Sequence, residues 1–370
     1  MRVLSARADS IQKKGLSVAG FQGYNTDMFQ IVLTALTAFA IVWLLGPLLP
    51  LLQRLKPAEQ HEPMPEPEPP PAQKKKQAPP PKPPVPTMGG VFVLLAVAIA
   101  TIIFGLDGME FSLPSLVTML ALGVLGFVDD FLRVRSVEEL GLRSYQKLFV
   151  ELIIAAAVAV WAYRSPLIGS SLHMPLSGGE WDLGFWYVPI VIATILFQVN
   201  ASRLSDGLDG MMTGMSAIYC LFMIAIFAAM AMTANQNGEF LLGSNLEGGA
   251  VFAAAVGGAG IGFLRYNAYP ARLEPGSTGS LALGGAVAMI AIISRSILIL
   301  PLMGFGFTIT MGSVVLQALS RRREDGKKLF RAAPLHRHFE LSGQPAPRIV
   351  SMYTILTAAI SAVCLLFYLR

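Results

Sequence analysis

An all-α, polytopic integral membrane protein of about ten transmembrane helices is predicted by two properties of this chain. Hydrophobic residues make up 54% of its 370 residues and charged residues only 14%, with a mean hydropathy of +0.58, which is far too apolar for a soluble domain of this length. The apolar residues also fall in runs. A hydrocarbon core of about 30 Å needs roughly 20 residues at 1.5 Å each, and ten stretches reach or approach that length: 28–52, 88–105, 113–132, 146–163, 184–200, 211–233, 247–264, 279–294, 297–318 and 349–369. The eighth is short.

Taken in order, residues 1–27 form a polar N-terminal tail. The first long apolar run begins only near Met28 and has full span length, so 28–56 is expected to be a retained first transmembrane helix rather than a cleaved leader. Residues 57–86 carry 13 prolines together with Lys74, Lys75 and Lys76 and lack apolar periodicity, which predicts a cytoplasmic spacer. Residues 87–370 would then form a nine-helix core with cytoplasmic loops. Short loops rich in Lys and Arg stay on the cytoplasmic side. The segments after spans one, three, five, seven and nine hold 21 of the 28 Lys and Arg, which places both termini outside, although Arg2, Arg7, Lys13 and Lys14 in the tail pull the other way. The net charge of +5 thus reflects topology, and a basic face suits anionic lipid heads and phosphorylated substrates rather than nucleic acid. Cys220 and Cys364 both lie in expected spans, which implies packing and neither a disulfide framework nor a metal cluster.

The chemistry gathers where spans meet cytoplasmic loops. GFVDDFLRVR places Asp129 and Asp130 at the end of the third span, and Lys147 opens the fourth. Ionised groups at membrane depth are costly and face a bundle interior or a wet cavity. Adjacent helical residues point about 100° apart, so only one of the pair is expected to face a given metal while the other orients or accepts a proton. In NASRLSDGLDG, from Asn200 to Gly210, Asp206 and Asp209 would share one helical face if the stretch is helical, with Gly207 and Gly210 leaving room for a phosphate or metal-phosphate. PTMGG, from Pro86 to Gly90 and including Thr87, lets backbone approach a ligand. GFLRYNAYPARLEPGSTGSLALGG, from Gly262 to Gly285, offers Asn267 as a buried polar candidate and a helix start that favours an anion. APLHRHFE, from Ala333 to Glu340, carries His336 and His338, which could donate to phosphate, whereas as metal ligands on an extended strand they would diverge.

In order and spacing, PTMGG, GFVDD, the GL and QK around Gly141 to Lys147, LSDGLDG, NAYPA, TGSLALGG and APLHRHFE resemble the polyprenyl-phosphate N-acetylhexosamine-1-phosphate transferases, from about residue 82 to the end of the chain. APLHRHFE is similar to the segment that marks the branch using muramoyl-pentapeptide. The resemblance implies a membrane enzyme with its site on the cytoplasmic face of the bacterial inner membrane, moving phospho-MurNAc-pentapeptide from UDP-MurNAc-pentapeptide to undecaprenyl phosphate to give lipid I and UMP, with Mg²⁺ as cofactor. Relatives also suggest a homodimer, bathed in membrane lipid. By carry-over, Asp129, Asp130, Asp209 and His336 are the catalytic candidates. Asp129 would serve as base or orienter for the lipid phosphate, and Asp130 and Asp209 are the candidate metal ligands. Lys147, Asn200, Asp206, Asn267, Gln317 and Thr87 would bind substrate, with Asp206 at the uracil.

The departures are as specific as the matches. Ser277 stands where the family has an acidic metal ligand, Arg203 where it has Asn, Glu274 where an aromatic stacks on uracil, Arg337 in the middle of a His triplet, and Val85 for a Thr. A hydroxyl is a poor substitute for a carboxylate on Mg²⁺. An enzyme with a re-tuned site is the reading favoured by the retained Asp129, Asp130, Asp206, Asp209, Lys147 and His336. The alternatives are a catalytically degenerate lipid- or nucleotide-binding partner of cell-wall enzymes and a proton-coupled transporter, the last leaving the His-bearing loop unexplained.

Overall fold

The computed structural model describes residues 28–48, 85–135, 141–174, 179–322 and 328–368. The expected tail, the end of the first helix and the body of the Pro/Lys-rich linker lie outside these. Each of the ten apolar stretches contains helix: α1 (Met28–Leu44), α2 (Gly90–Phe104), α3 (Met109–Arg135), α4 (Ser144–Arg164), α5 (Tyr187–Ser205), α6 (Met211–Gln236), α7 (Phe240–Asn267), α8 (Gly276–Ile293), the pair α9 (Leu300–Met303) and α10 (Phe305–Arg321), and α12 (Ala346–Tyr368). A short α11 (Leu335–Leu341) precedes the last. Among the described residues 7 helices, namely α3 to α8 and α12, are long and apolar enough to cross a membrane. The multi-pass membrane class is therefore plain, and the expected count of ten rests on adding the shorter α1, α2 and α10.

Two local expectations are corrected. The eighth stretch is not short, because α8 starts at Gly276 and reaches 18 residues. The ninth is broken: Pro301 can open a helix but not continue one, and Gly304 ends α9 and begins α10. A two-stranded antiparallel hairpin, β1 (Ser171–His173) with β2 (Glu180–Asp182), also joins α4 to α5. It is held by Arg295, whose guanidinium donates to both oxygens of Glu180 at 2.8 and 2.9 Å.

In lipid the apolar side chains gain nothing by leaving one apolar medium for another, so helices associate through close packing of small residues. α7 and α8 are the centre of this packing, with 89% of their apolar windows buried, against 33% for α4 and 28% for α12. Glycines line the tight crossings. A Cβ on Gly258 of α7 would strike the backbone of Ala35 in α1, and one on Gly126 of α3 the carbonyl of Ser277 at the start of α8. Side chains such as Val117, Val124, Ile153 and Leu366 point outward and are exposed, as a lipid-facing surface requires. Gly126→Ala is expected to cost about 1–3 kcal/mol through overpacking. Gly312→Ala, where nothing lies within 4 Å, should be neutral or slightly stabilising. Thermal unfolding in detergent separates them, and equal midpoints would contradict the close α3–α8 contact.

Because successive helices alternate in direction, the ends of α3, α5, α7 and α10 and the starts of α4, α6, α8 and α12 collect at one end of the bundle. Every candidate residue lies there.

Candidate active site

The last turns of α3 face the first turn of α8. The carboxylate of Asp129, fully buried, accepts the amide of Leu142 on Oδ1 at 2.8 Å. Its Oδ2 accepts Lys147 Nζ at 2.8 Å, Ser277 Oγ at 2.7 Å and Arg133 Nη2 at 3.2 Å. Asp130, also buried, accepts the amide of Ser277 at 3.0 Å, the amide of Thr278 at 2.8 Å and Thr278 Oγ1 at 2.7 Å. The first amides of a helix have no partner within it, and Pro275 at the N-cap of α8 has no side-chain cap bond. Asp130 fills that role from α3, where a carboxylate also suits the helix dipole. Gly276, at φ +69°, is needed here: a Cβ would lie 2.6 Å from Asp130 Oδ2. Both aspartates reach Ser277, Asp129 accepting its hydroxyl and Asp130 its amide.

α4 begins with Gln146 accepting the amide of Arg143 at 2.9 Å, and this turn aims Lys147 at Asp129. One turn further, Glu151 is buried, and its Oε2 accepts Asn200 Nδ2 at 2.9 Å. Asn200 Oδ1 in turn accepts Arg203 Nη2 at 2.7 Å. Glu151 is a site-proximal residue absent from the sequence candidates, yet its signal was available: an acidic residue inside an apolar span, one helical turn beyond Lys147. Glu151→Leu is expected to release Asn200 and Arg203 from this chain of bonds and to destabilise the protein by about 1–3 kcal/mol. An unfolding midpoint in detergent equal to that of the unaltered protein would show the chain of bonds to be irrelevant.

α5 ends at Ser205, and Asp206 to Gly210 is a turn closed by Gly210 at φ +77°. Asp206 and Asp209 therefore do not share a helical face. Asp209 instead accepts the amide of Ala271 at 3.2 Å, tying this turn to the α7–α8 loop. Burial, and then the nearby carboxylates of Glu274, Asp130 and Asp209, hold the Asp206 carboxyl well above the usual carboxylate range. Asp206 thus lies close enough to Asp130 to feel its charge, and it receives no side-chain hydrogen bond among the described residues. Thr87 lies half-buried in the extended stretch entering α2. That stretch is laced to the same loop through Glu274 N to Pro86 O, Gly89 N to Glu274 O and Gly90 N to Pro275 O, at 3.0, 2.9 and 3.0 Å.

Two candidates hold loops. Asn267 accepts Thr213 Oγ1 and donates to the carbonyl of Leu273, and Gln317 both accepts from and donates to the backbone of Phe330. His336 sits on α11, a helix rather than a strand, and is buried against Gly207, where a Cβ would lie 2.6 Å from Nε2. His338 accepts the amide of Arg331 and packs on Phe330 and Phe339. Burial, then the neighbouring Arg337, pulls His336 down from 6.5 to about 4, so the ring is neutral at pH 7. Its folded-state pKa is depressed, so this contribution to stability is full above about 6.5 and falls as pH drops toward about 4. The loss is about 1.4 kcal/mol per unit within that window. His336→Gln is expected to flatten the pH dependence of unfolding between these values by about one proton. Identical slopes in the two proteins would contradict it.

These residues do not fit a resident Mg²⁺. Among the described residues no three His, Cys, Asp or Glu are arranged to hold a metal ion. Asp130 already meets three donors, Asp209 is tied to Ala271, and position 277 offers a hydroxyl. Asp130 and Asp209, the metal ligands implied by resemblance, are accordingly placed as a helix cap and a loop tie.

A family model described as Glycosyl transferase family 4 matches residues 112–295, the stretch from α3 to the end of α8 that carries the aspartates and Lys147. Curated relatives extend the match across the chain. A phospho-N-acetylmuramoyl-pentapeptide-transferase of Clostridium kluyveri is 35% identical over 91% of this chain and 98% of its own length. Those of Halalkalibacterium halodurans and Heliobacterium modesticaldum are 36% and 37% identical, over 92% and 90% of this chain and 97% and 95% of theirs. With near full-length coverage at this identity, and the motif-bearing helix ends gathered at one pole of the bundle, the chain belongs to the phospho-N-acetylmuramoyl-pentapeptide-transferase family of phosphoglycosyl transferases.

Proposed function

We propose that this protein transfers phospho-MurNAc-pentapeptide from UDP-MurNAc-pentapeptide to undecaprenyl phosphate, forming lipid I and UMP for peptidoglycan synthesis, on the cytoplasmic face of the bacterial inner membrane. The observation that carries this reading is the docking of α11, which bears the muramoyl-pentapeptide signature, with His336 buried against Gly207 of LSDGLDG. The segment that would select the sugar-peptide thereby meets the segment that would hold the nucleotide.

In the reaction an oxygen of the lipid phosphate bonds to the sugar-bearing phosphorus of the nucleotide sugar. The bond from that phosphorus to the bridging oxygen breaks, and UMP leaves with the electron pair. Catalysis of such a transfer is chiefly positioning and neutralisation of phosphoryl charge. Lys147 and Arg133 supply positive charge, and Asp129 orients both. With four hydrogen bonds already on its carboxylate, Asp129 is better suited to that task than to taking a proton. Asp206 and Asn200 line the nucleotide side. The acceptor's tail would lie on the exposed apolar surface flanking Asp129 and Lys147, made by Phe127, Phe131, Leu148 and Phe149. The Mg²⁺ implied by resemblance has no site in these residues, so no step is assigned to it.

The test is UMP release by purified protein in detergent. Release that requires both UDP-MurNAc-pentapeptide and undecaprenyl phosphate is expected. Saturable UDP-sugar binding without UMP release would instead indicate the degenerate, binding-only protein.

A further inference from the structure

We propose that the α3–α8 junction of this chain holds no divalent cation of its own, its positive charge being built in as Lys147 and Arg133, with Ser277 closing the hydrogen-bonded ring on Asp129. Ser277 is a departure with a positive role. A carboxylate at this position would have no proton to give, whereas the Ser277 hydroxyl donates to Asp129 Oδ2 at 2.7 Å. It would also crowd a third negative charge against Asp129 and Asp130, an arrangement that demands a bound cation. With serine present, Asp129 faces two cations, Lys147 at 2.8 Å and Arg133 at 3.2 Å, while Asp130 is held by the amides of Ser277 and Thr278 and by the Thr278 hydroxyl.

Coordination capacity points the same way. An ionised carboxylate offers about four acceptor positions. Asp129 receives four donors and Asp130 three, so about one acceptor position of the pair is left open, and any further protein ligation of a metal here would have to displace existing bonds. Backbone movement cannot open the site cheaply, because Gly126 of α3 lies against the carbonyl of Ser277. Any divalent ion in turnover would then arrive on the pyrophosphate of the substrate and not as a resident of the protein. Only that last consequence rests on the transferase reading.

The test is a titration of the purified full-length chain in detergent with Mn²⁺, without nucleotide, following free Mn²⁺ by electron paramagnetic resonance. The unaltered chain is expected to show no saturable site up to about 1 mM, and Ser277→Asp to gain one at least about tenfold tighter. Ser277→Asn, neutral and of similar size, is expected to gain none. A saturable site of one Mn²⁺ per unaltered chain at micromolar concentration would overturn the proposal, and that arm needs no variant to fold. Parallel measurement of UMP release keeps the two readings apart. Failure of every protein to release UMP counts against the transferase reading, while the Mn²⁺ titration alone decides this one.

Discussion

Lys147→Met is expected to lower UMP release by at least about 100-fold and to destabilise the protein by about 3–5 kcal/mol. Lys147 and Asp129 form a buried pair at 2.8 Å. Removing one partner leaves the other charge in a medium that screens it poorly, which costs more than the pair itself contributes. Arg133 cannot make good the loss, since it is the longer contact at 3.2 Å and its side chain is 31% exposed. Methionine keeps the length and the apolar stem, so the effect isolates the charge. Thermal unfolding in detergent and initial rates of UMP release measure the two consequences. A variant that keeps both wild-type stability and wild-type rate would remove Lys147 from the account.

Asp130→Ala is expected to be among the most damaging single changes to the fold, at about 3–5 kcal/mol. It removes the acceptor of the Ser277 amide, the Thr278 amide and Thr278 Oγ1 together, leaving three donors unsatisfied at the start of the centrally buried α8. Asp130→Asn keeps one acceptor oxygen but turns an amide NH₂ toward donors, and should fall between the alanine variant and the unaltered chain. Hydrogen exchange in the first turn of α8 should rise in the same order. If Asp130 acted only as a metal ligand, the alanine variant would lose activity while unfolding at the temperature of the unaltered protein.

The membrane architecture was legible because run length answers directly to bilayer thickness: ten apolar stretches each contain helix, even where Gly304 breaks one and Gly276 lengthens another. The aspartate pair was legible because charge at the edge of an apolar span is costly anywhere in a sequence. Other features depend on contacts that no local pattern carries. Asp130 caps a helix through Ser277, 147 positions later, and Ser277 is shared by two adjacent aspartates because α8 crosses α3 there. A helical face for Asp206 and Asp209 failed because Gly207 and Gly210, read as room for a ligand, in fact accompany a turn after the helix has ended. Asn267 was recognised as buried and polar and Gln317 entered only through the resemblance, and neither route shows that Asn267 bonds the carbonyl of Leu273 or that Gln317 bonds the backbone of Phe330. The hairpin escaped because three-residue strands are too short to show alternation.

The most direct test of the proposed transfer is the identity of the lipid product. Purified protein would be given UDP-MurNAc-pentapeptide and UDP-N-acetylglucosamine in equal amounts with undecaprenyl phosphate, and the extracted lipids read by mass spectrometry. A single product at the mass of undecaprenyl diphosphate bearing MurNAc-pentapeptide, accompanied by UMP, is the predicted result. A product bearing N-acetylglucosamine, or unaltered undecaprenyl phosphate, would contradict it.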